Sequence, residues 1–229
     1  MIPQDVLQKV FFLKKGDGVG TCFLVSIENR DYLVTAKHIF PDCAHNEKVN
    51  FEIFHETGWN RFEAVAKCHK NQIIDIVVLD IDKSDVKNQS FTLGNRNCSI
   101  SQDCFFLGFP FGRKMDDSDA FAANNGFPLP FVKKAVVSSM VTDTSGATQI
   151  FLDGHNNPGF SGGPVVIVDL VESNVSKENK MRIVGVISAY VVDPKEIRTP
   201  FGDLVIRENS GIVISYSFEH VFEILGVKV

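Results

Sequence analysis

The chain has 229 residues, of which 44% are hydrophobic and 22% charged, and a net charge of −5. This excludes a disordered chain and a disulfide-stapled mini-protein, and it leaves room for one large core or two small ones. Nucleic acid needs clustered positive charge and a membrane span needs roughly 18–20 consecutive apolar residues; the sequence offers neither, so neither partner is expected.

At the N-terminus, Met1 to Asp5 has no basic or uninterrupted apolar stretch of the kind a secretory leader carries. Five cysteines, Cys22, Cys43, Cys68, Cys98 and Cys104, fall at irregular spacing with no Cys-x-x-Cys pair. The expectation is a cytoplasmic protein with reduced, buried thiols. Cys43 with His45, or Cys68 with His69, lacks the paired spacing of a metal site, so no metal and no cofactor are expected.

Short runs rich in Val, Ile, Phe and Thr then follow one another, each bounded by Gly, Asn, Asp or Pro. They are Phe11 to Leu13, Thr21 to Ile27, Tyr32 to Thr35, Val49 to Phe54, Ile73 to Ile81 and Cys104 to Gly108. Val132 to Val141, Gln149 to Leu152, Val165 to Val171, Ile183 to Tyr190 and Gly211 to Ser215 complete the series. Such a succession predicts an all-β barrel or sandwich, and 20 phenylalanines suit its interior. The polar stretch Asp82 to Ser101 divides the chain, giving expected units at 1–90 and 91–229. Phe111 to Pro130 and Asp193 to Asn209 read as long loops, and Ser173 to Lys180 as a hairpin turn. Phe218, Val221, Phe222 and Leu225 recur at helical spacing, with Ser217 as N-cap and Gly226 as the stop.

The chemistry begins with Asn157-Pro158-Gly159-Phe160-Ser161-Gly162-Gly163-Pro164. A serine between glycines is tightly turned, and free backbone N–H groups beside it can hold an oxyanion. Gly-x-Ser-x-Gly also describes the nucleophile elbow of α/β-hydrolases. After an elbow, however, the chain enters a helix, whereas Pro164 to Val168 is a β-branched run. The one histidine after Ser161 is His220, which lies on the terminal helix. A serine hydroxyl needs a base, and His38, at the exit of the run ending in Thr35, is the candidate. The imidazole needs a carboxylate, and Asp75 enters the apolar run Ile76 to Leu79.

Thr35-Ala36-Lys37-His38, Asp75-Ile76-Val77-Val78-Leu79 and Gly159 to Pro164, in that order, resemble the trypsin-like serine peptidases, most nearly the HtrA-type branch. Gly20-Thr21-Cys22-Phe23-Leu24-Val25, Leu107 to Gly112, Val136 to Ser139 and Gly211 to Ser217 extend the resemblance over nearly the whole chain. It implies a chymotrypsin-like fold, two six-stranded antiparallel β-barrels with a C-terminal helix, and a serine endopeptidase acting on peptide or protein substrates. It also implies His38, Asp75 and Ser161 as catalytic triad and the N–H groups of Gly159 and Ser161 as oxyanion hole. The segment Val186 to Tyr190, with Ile187, Ser188, Ala189 and Tyr190, would pair with substrate, and His155 would line the specificity pocket.

The sequence departs from the family in places. Ile39 stands where extracellular trypsins have cysteine, and Phe160 where they have the aspartate that receives a newly cut N-terminus, so activation by such a cut is not expected. HtrA-type peptidases usually carry a C-terminal PDZ domain, and none is expected here after the helix. A catalytically inactive peptide-binding module and an esterase with the same triad are the alternative readings.

Overall fold

The computed structural model describes residues 2–56, 58–81, 98–115, 124–172, 177–199 and 202–227, without the side chains of 169–172, 177–180, 196–199 and 202–204. Six strands, β1 (Val10–Lys15), β2 (Gly18–Ile27), β3 (Arg30–Thr35), β4 (Glu47–His55), β5 (Gly58–Cys68) and β6 (Val77–Asp80), close a barrel in the order β1-β2-β3-β6-β5-β4. Six more, β7 (Asp103–Gly108), β8 (Phe131–Thr142), β9 (Thr148–Asp153), β10 (Pro164–Glu172), β11 (Lys177–Thr199) and β12 (Gly202–Ser217), close a second in the order β7-β8-β9-β12-β11-β10. The two orders are the same permutation, and every pairing is antiparallel. The all-β, two-barrel expectation therefore holds.

The near-continuous apolar runs have a physical reason: many strands are buried on both faces. Phe11, Leu13, Cys22, Leu24, Leu33, Val77 and Leu79 point into the first barrel. Their neighbours Phe12, Phe23, Val25, Val34 and Val78 join Leu107, Phe109, Val166 and Val186 of the second barrel in a core between the two. Phe12 stacks on Phe109 there, with ring centroids 5.1 Å apart. The second barrel is filled by Phe106, Val137, Leu152, Phe160, Val165 and Val184 among others.

Among the described residues two short α-helices flank the barrels, α1 (Gln4–Leu7) and α2 (Glu219–Leu225). Neither they nor any other described helix is long and apolar enough to cross a membrane. α2 starts one residue later than Ser217 predicts, with Phe218 at the cap position, but the Ser217 hydroxyl still accepts from Glu219 N at 3.3 Å. Gly226 ends it with φ +70°. Phe218, Val221 and Phe222 bury its inner face in the inter-barrel core. Its Glu223 carboxylate accepts from His220 Nδ1 at 2.6 Å and from His69 Nε2 at 3.1 Å, which fastens the helix to the first barrel.

Several expectations are corrected. Gly58–Cys68 is a strand that the sequence reading passed over. Within Ile73 to Ile81 only Val77–Asp80 is strand, and Asp75 lies in the loop before it. Asp193 to Asn209 is not a loop: Asp193 pairs with Glu208 and the ladder runs on to Thr199 opposite Gly202, a hairpin arm continuing β11 and β12. Phe111 to Pro130 lies partly outside the described residues. Its described ends meet at a Met115–Leu129 bridge, and Phe127 packs on Phe11 of the first barrel at 4.9 Å. The dividing stretch falls mostly outside them, as does the tip of the 173–180 turn.

Candidate active site

The site forms where loops of the two barrels meet. A 3-10 turn at Lys37–Ile39 follows β3 and presents His38, half-exposed, to Asp75. Asp75 Oδ2 accepts from His38 Nδ1 at 2.7 Å, and Oδ1 accepts from the His38 backbone N–H at 2.8 Å. A third donor comes from the other barrel: Ser188 Oγ donates to Oδ2 at 2.5 Å. Burial pushes the Asp75 carboxyl up, but the hydrogen bonds from His38 and Ser188 outweigh it and hold the carboxyl below its ordinary value. An ionised carboxylate can only accept, so Nδ1 carries a proton, and in the neutral imidazole Nε2 is the basic nitrogen.

Ser161 sits in the glycine-rich loop between β9 and β10. Its Oγ donates to Ser188 O at 3.2 Å, and no hydrogen bond joins it to His38 among the described residues. The structure thus brings His38 and Asp75 together as expected, and sets Ser161 beside Ser188 with its hydroxyl engaged by a backbone carbonyl. Such contacts are often loose or mis-set without substrate and tighten only in the complex.

The serine loop is fixed from both sides. Gly162 N donates to Ile187 O at 2.7 Å, and Ile187 N to Gly163 O at 2.9 Å. From the first barrel, Thr21 N donates to Ser161 O at 2.8 Å and Thr21 Oγ1 to Gly159 O at 2.7 Å. The approach is close enough to require glycine: at Gly162, with φ +82°, a Cβ would stand 2.1 Å from Thr21 O and 2.2 Å from Thr35 Oγ1. Pro158 O accepts from Phe111 N at 2.7 Å. In a trans peptide N–H and C=O point oppositely, so the Gly159 N–H is turned away from Phe111. Neither Gly159 N nor Ser161 N has an acceptor among the described residues. Phe160 leaves them free, because its ring is fully buried in the second barrel, edge-on to Phe106 at 4.9 Å.

Ser188 lies at a bulge of β11, where pairing with β12 shifts between Ile187 and Ala189. Ile187 is fully buried in the second barrel, not on a substrate-facing surface. His155 is exposed. Its neighbour Asn156 is buried and donates from Nδ2 to Ala189 O at 3.2 Å, so Asn156 braces the wall beside Ala189. Sequence reasoning missed Thr21, the Ser188 hydroxyl and Asn156. Each is an ordinary polar residue in a strand or loop, and only long-range contact distinguishes it.

Solved structures share this arrangement of strands. Rv3671c from M. tuberculosis H37Rv, crystallised as a serine-to-alanine variant in its inactive form, is 13% identical, with 96% of this chain and 86% of that one covered at a TM-score of 0.59. A serine-to-alanine variant of the HtrA-type protease AlgW with a tripeptide is 18% identical, with 97% of this chain and 60% of that one covered at a TM-score of 0.60. At these identities the likeness is one of fold. No curated protein matches the sequence. A family profile described as a trypsin-like peptidase domain matches residues 20–170, the span from Gly20 through His38, Asp75 and the serine loop. With both barrels, the His38–Asp75 pair and the glycine-bounded Ser161 inside one matched segment or continuous with it, the chain belongs to the trypsin-like peptidase family.

Proposed function

We propose that this peptidase is a serine endopeptidase that cleaves through an acyl-enzyme, with Ser161 as nucleophile, His38 as general base and acid, and Asp75 as the group that orients His38. The observation that carries the reading is the threefold hydrogen bonding of Asp75 by His38 Nδ1, His38 N and Ser188 Oγ, which orients the imidazole, while the same Ser188 accepts from the glycine-bounded Ser161 through its carbonyl. The unsatisfied N–H groups of Gly159 and Ser161 supply the oxyanion hole, each worth about 3 kcal/mol in comparable sites.

Substrate enters as an added strand along Ser188 to Tyr190. Its backbone N–H competes for the Ser188 carbonyl that the Ser161 hydroxyl occupies. Released, the hydroxyl turns about its single side-chain torsion to His38 Nε2 and becomes reactive. Binding and activation of the nucleophile are then one event. The test is hydrolysis of a peptide library by the wild-type chain and by Ser161→Ala. We expect kcat to fall by about 10⁶ in the variant; a loss of only a few-fold removes Ser161 from the reaction.

A further inference from the structure

The turn that carries His38 leads into a second reactive arrangement. Phe40 N donates to Lys37 O at 2.7 Å and Cys43 N to Phe40 O at 3.1 Å, so the chain coils on from His38 and delivers Cys43 against Cys68, the last residue of β5. The two Sγ atoms are 3.5 Å apart. Both thiols are free, and the gap is about 1.5 Å wider than a disulfide bond.

Both residues line one cavity of about 490 Å³, together with Lys37, His45, His69 and Gln72. That is ample for a small polar oxidant. Either sulfur can donate in the contact between them, and Cys68 Sγ also donates to Cys43 O at 3.7 Å. The hydrogen bond with Cys43 lowers Cys68 from its ordinary value; burial and Glu47 oppose this and Lys37 adds to it. The same bond pushes Cys43 up. Two free sulfurs in direct contact beside one cavity are the geometry that a thiolate attack followed by resolution requires. The imidazoles of His45 and His69 bond atoms other than the two sulfurs: His45 Nδ1 lies 2.9 Å from Cys68 O and accepts from Cys68 N at 3.1 Å, and His69 Nε2 bonds Glu223. The remaining cysteines differ. Cys22 and Cys104 are fully buried in the barrel interiors, which pushes their thiols up, Cys104 to about 12. Burial also raises Cys98, whose Sγ lies 3.2 Å from Met140 Sδ.

We propose that Cys43 and Cys68 are a peroxide-sensitive dithiol that closes to a disulfide, tying the His38 turn to the strand that leads into the Asp75 loop. Lys37 Nζ already bridges the same two segments through Gln72 Oε1. The Cys68 thiolate attacks one oxygen of hydrogen peroxide. The O–O bond breaks, Cys68 becomes a sulfenic acid, and the departing hydroxide takes up the proton that Cys68 had released to become water. Cys43 then attacks the sulfenic sulfur; the S–S bond forms, the S–O bond breaks, and the oxygen leaves as a second water with the Cys43 proton. Two thiols lose two electrons in total and one peroxide gains them.

This rests on the thiol geometry alone and is independent of the peptidase reading. The test treats the reduced full chain with excess hydrogen peroxide, quenches by alkylation in denaturant, and maps the peptides by mass spectrometry. The expected product is a Cys43–Cys68 cross-link, reversed by a thiol reductant, with Cys22 and Cys104 still alkylated. The disulfide spans 25 residues of chain and should raise Tm by about 5–10 °C. In Cys43→Ser the reaction should stop at a Cys68 sulfenic acid that dimedone traps. Full alkylation of Cys43 and Cys68 under peroxide that consumes free cysteine completely would overturn the proposal, as would a cross-link to any other cysteine.

Discussion

Asp75 is where the energetics of the site concentrate. It is largely buried, so its charge is costly, and three donors offset that cost. In Asp75→Asn an amide N–H can face Nδ1 and drive the imidazole to the other tautomer, so we expect kcat to fall by about 10⁴ at neutral pH while the fold persists. The pH dependence of stability has a definite sign. The folded carboxyl lies below its ordinary value of 3.8, so its contribution is present above that pH and is lost as pH falls through the lower folded value. The Tm difference between wild type and Asp75→Asn should be largest near neutrality and shrink on acidification below about pH 3.8; a constant difference would mean that the carboxylate is not stabilised in the folded state. The His38–Asp75 pairing and the glycine-bounded turn at Ser161 were legible in the sequence because each sits in a short local motif. The Ser188 hydroxyl and Thr21 were not, because their partners lie 113 and 138 residues away and a hydroxyl in a strand has no local signature.

At the scale of elements, the serine loop is held as a rigid insert between barrels. Ser161 O and Gly159 O are anchored on Thr21, and Gly162 N and Gly163 O on Ile187. Gly162→Ala places a Cβ against backbone and strains a positive φ at once, so it should cost more than about 3 kcal/mol in urea denaturation. A loss under 1 kcal/mol would show that the loop can yield. Strands buried on both faces were readable from their unbroken apolar runs. β5 was not, because its inward side chains are the small Ala64, Ala66 and Cys68, with Phe51 and Ile53 of β4 supplying the bulk on the facing strand. The arm at 193–199 and 202–208 was read as a loop for a related reason. It carries Pro194 and charged residues such as Asp193, Lys195 and Glu208, and its one apolar run, Leu204-Val205-Ile206, is short.

At the scale of the molecule, two barrels of identical strand order share the core between them, and the site straddles that contact. His38 and Asp75 come from one barrel, Ser161 and Ser188 from the other, so their geometry depends on how the barrels dock. Phe109, fully buried and stacked on Phe12, is a keystone of the contact. Phe109→Ala should destabilise the protein by about 3–5 kcal/mol and lower one common thermal transition; two separated transitions would show that the barrels unfold independently. The two-barrel plan was legible from strand count and motif order, whereas the docking of the barrels depends on contacts far apart in sequence. The most direct measurement is reaction with a fluorophosphonate, the modified residue being mapped by mass spectrometry. The account predicts a single adduct on Ser161, abolished in His38→Ala; an unlabelled chain, or labelling that persists without His38, would contradict it.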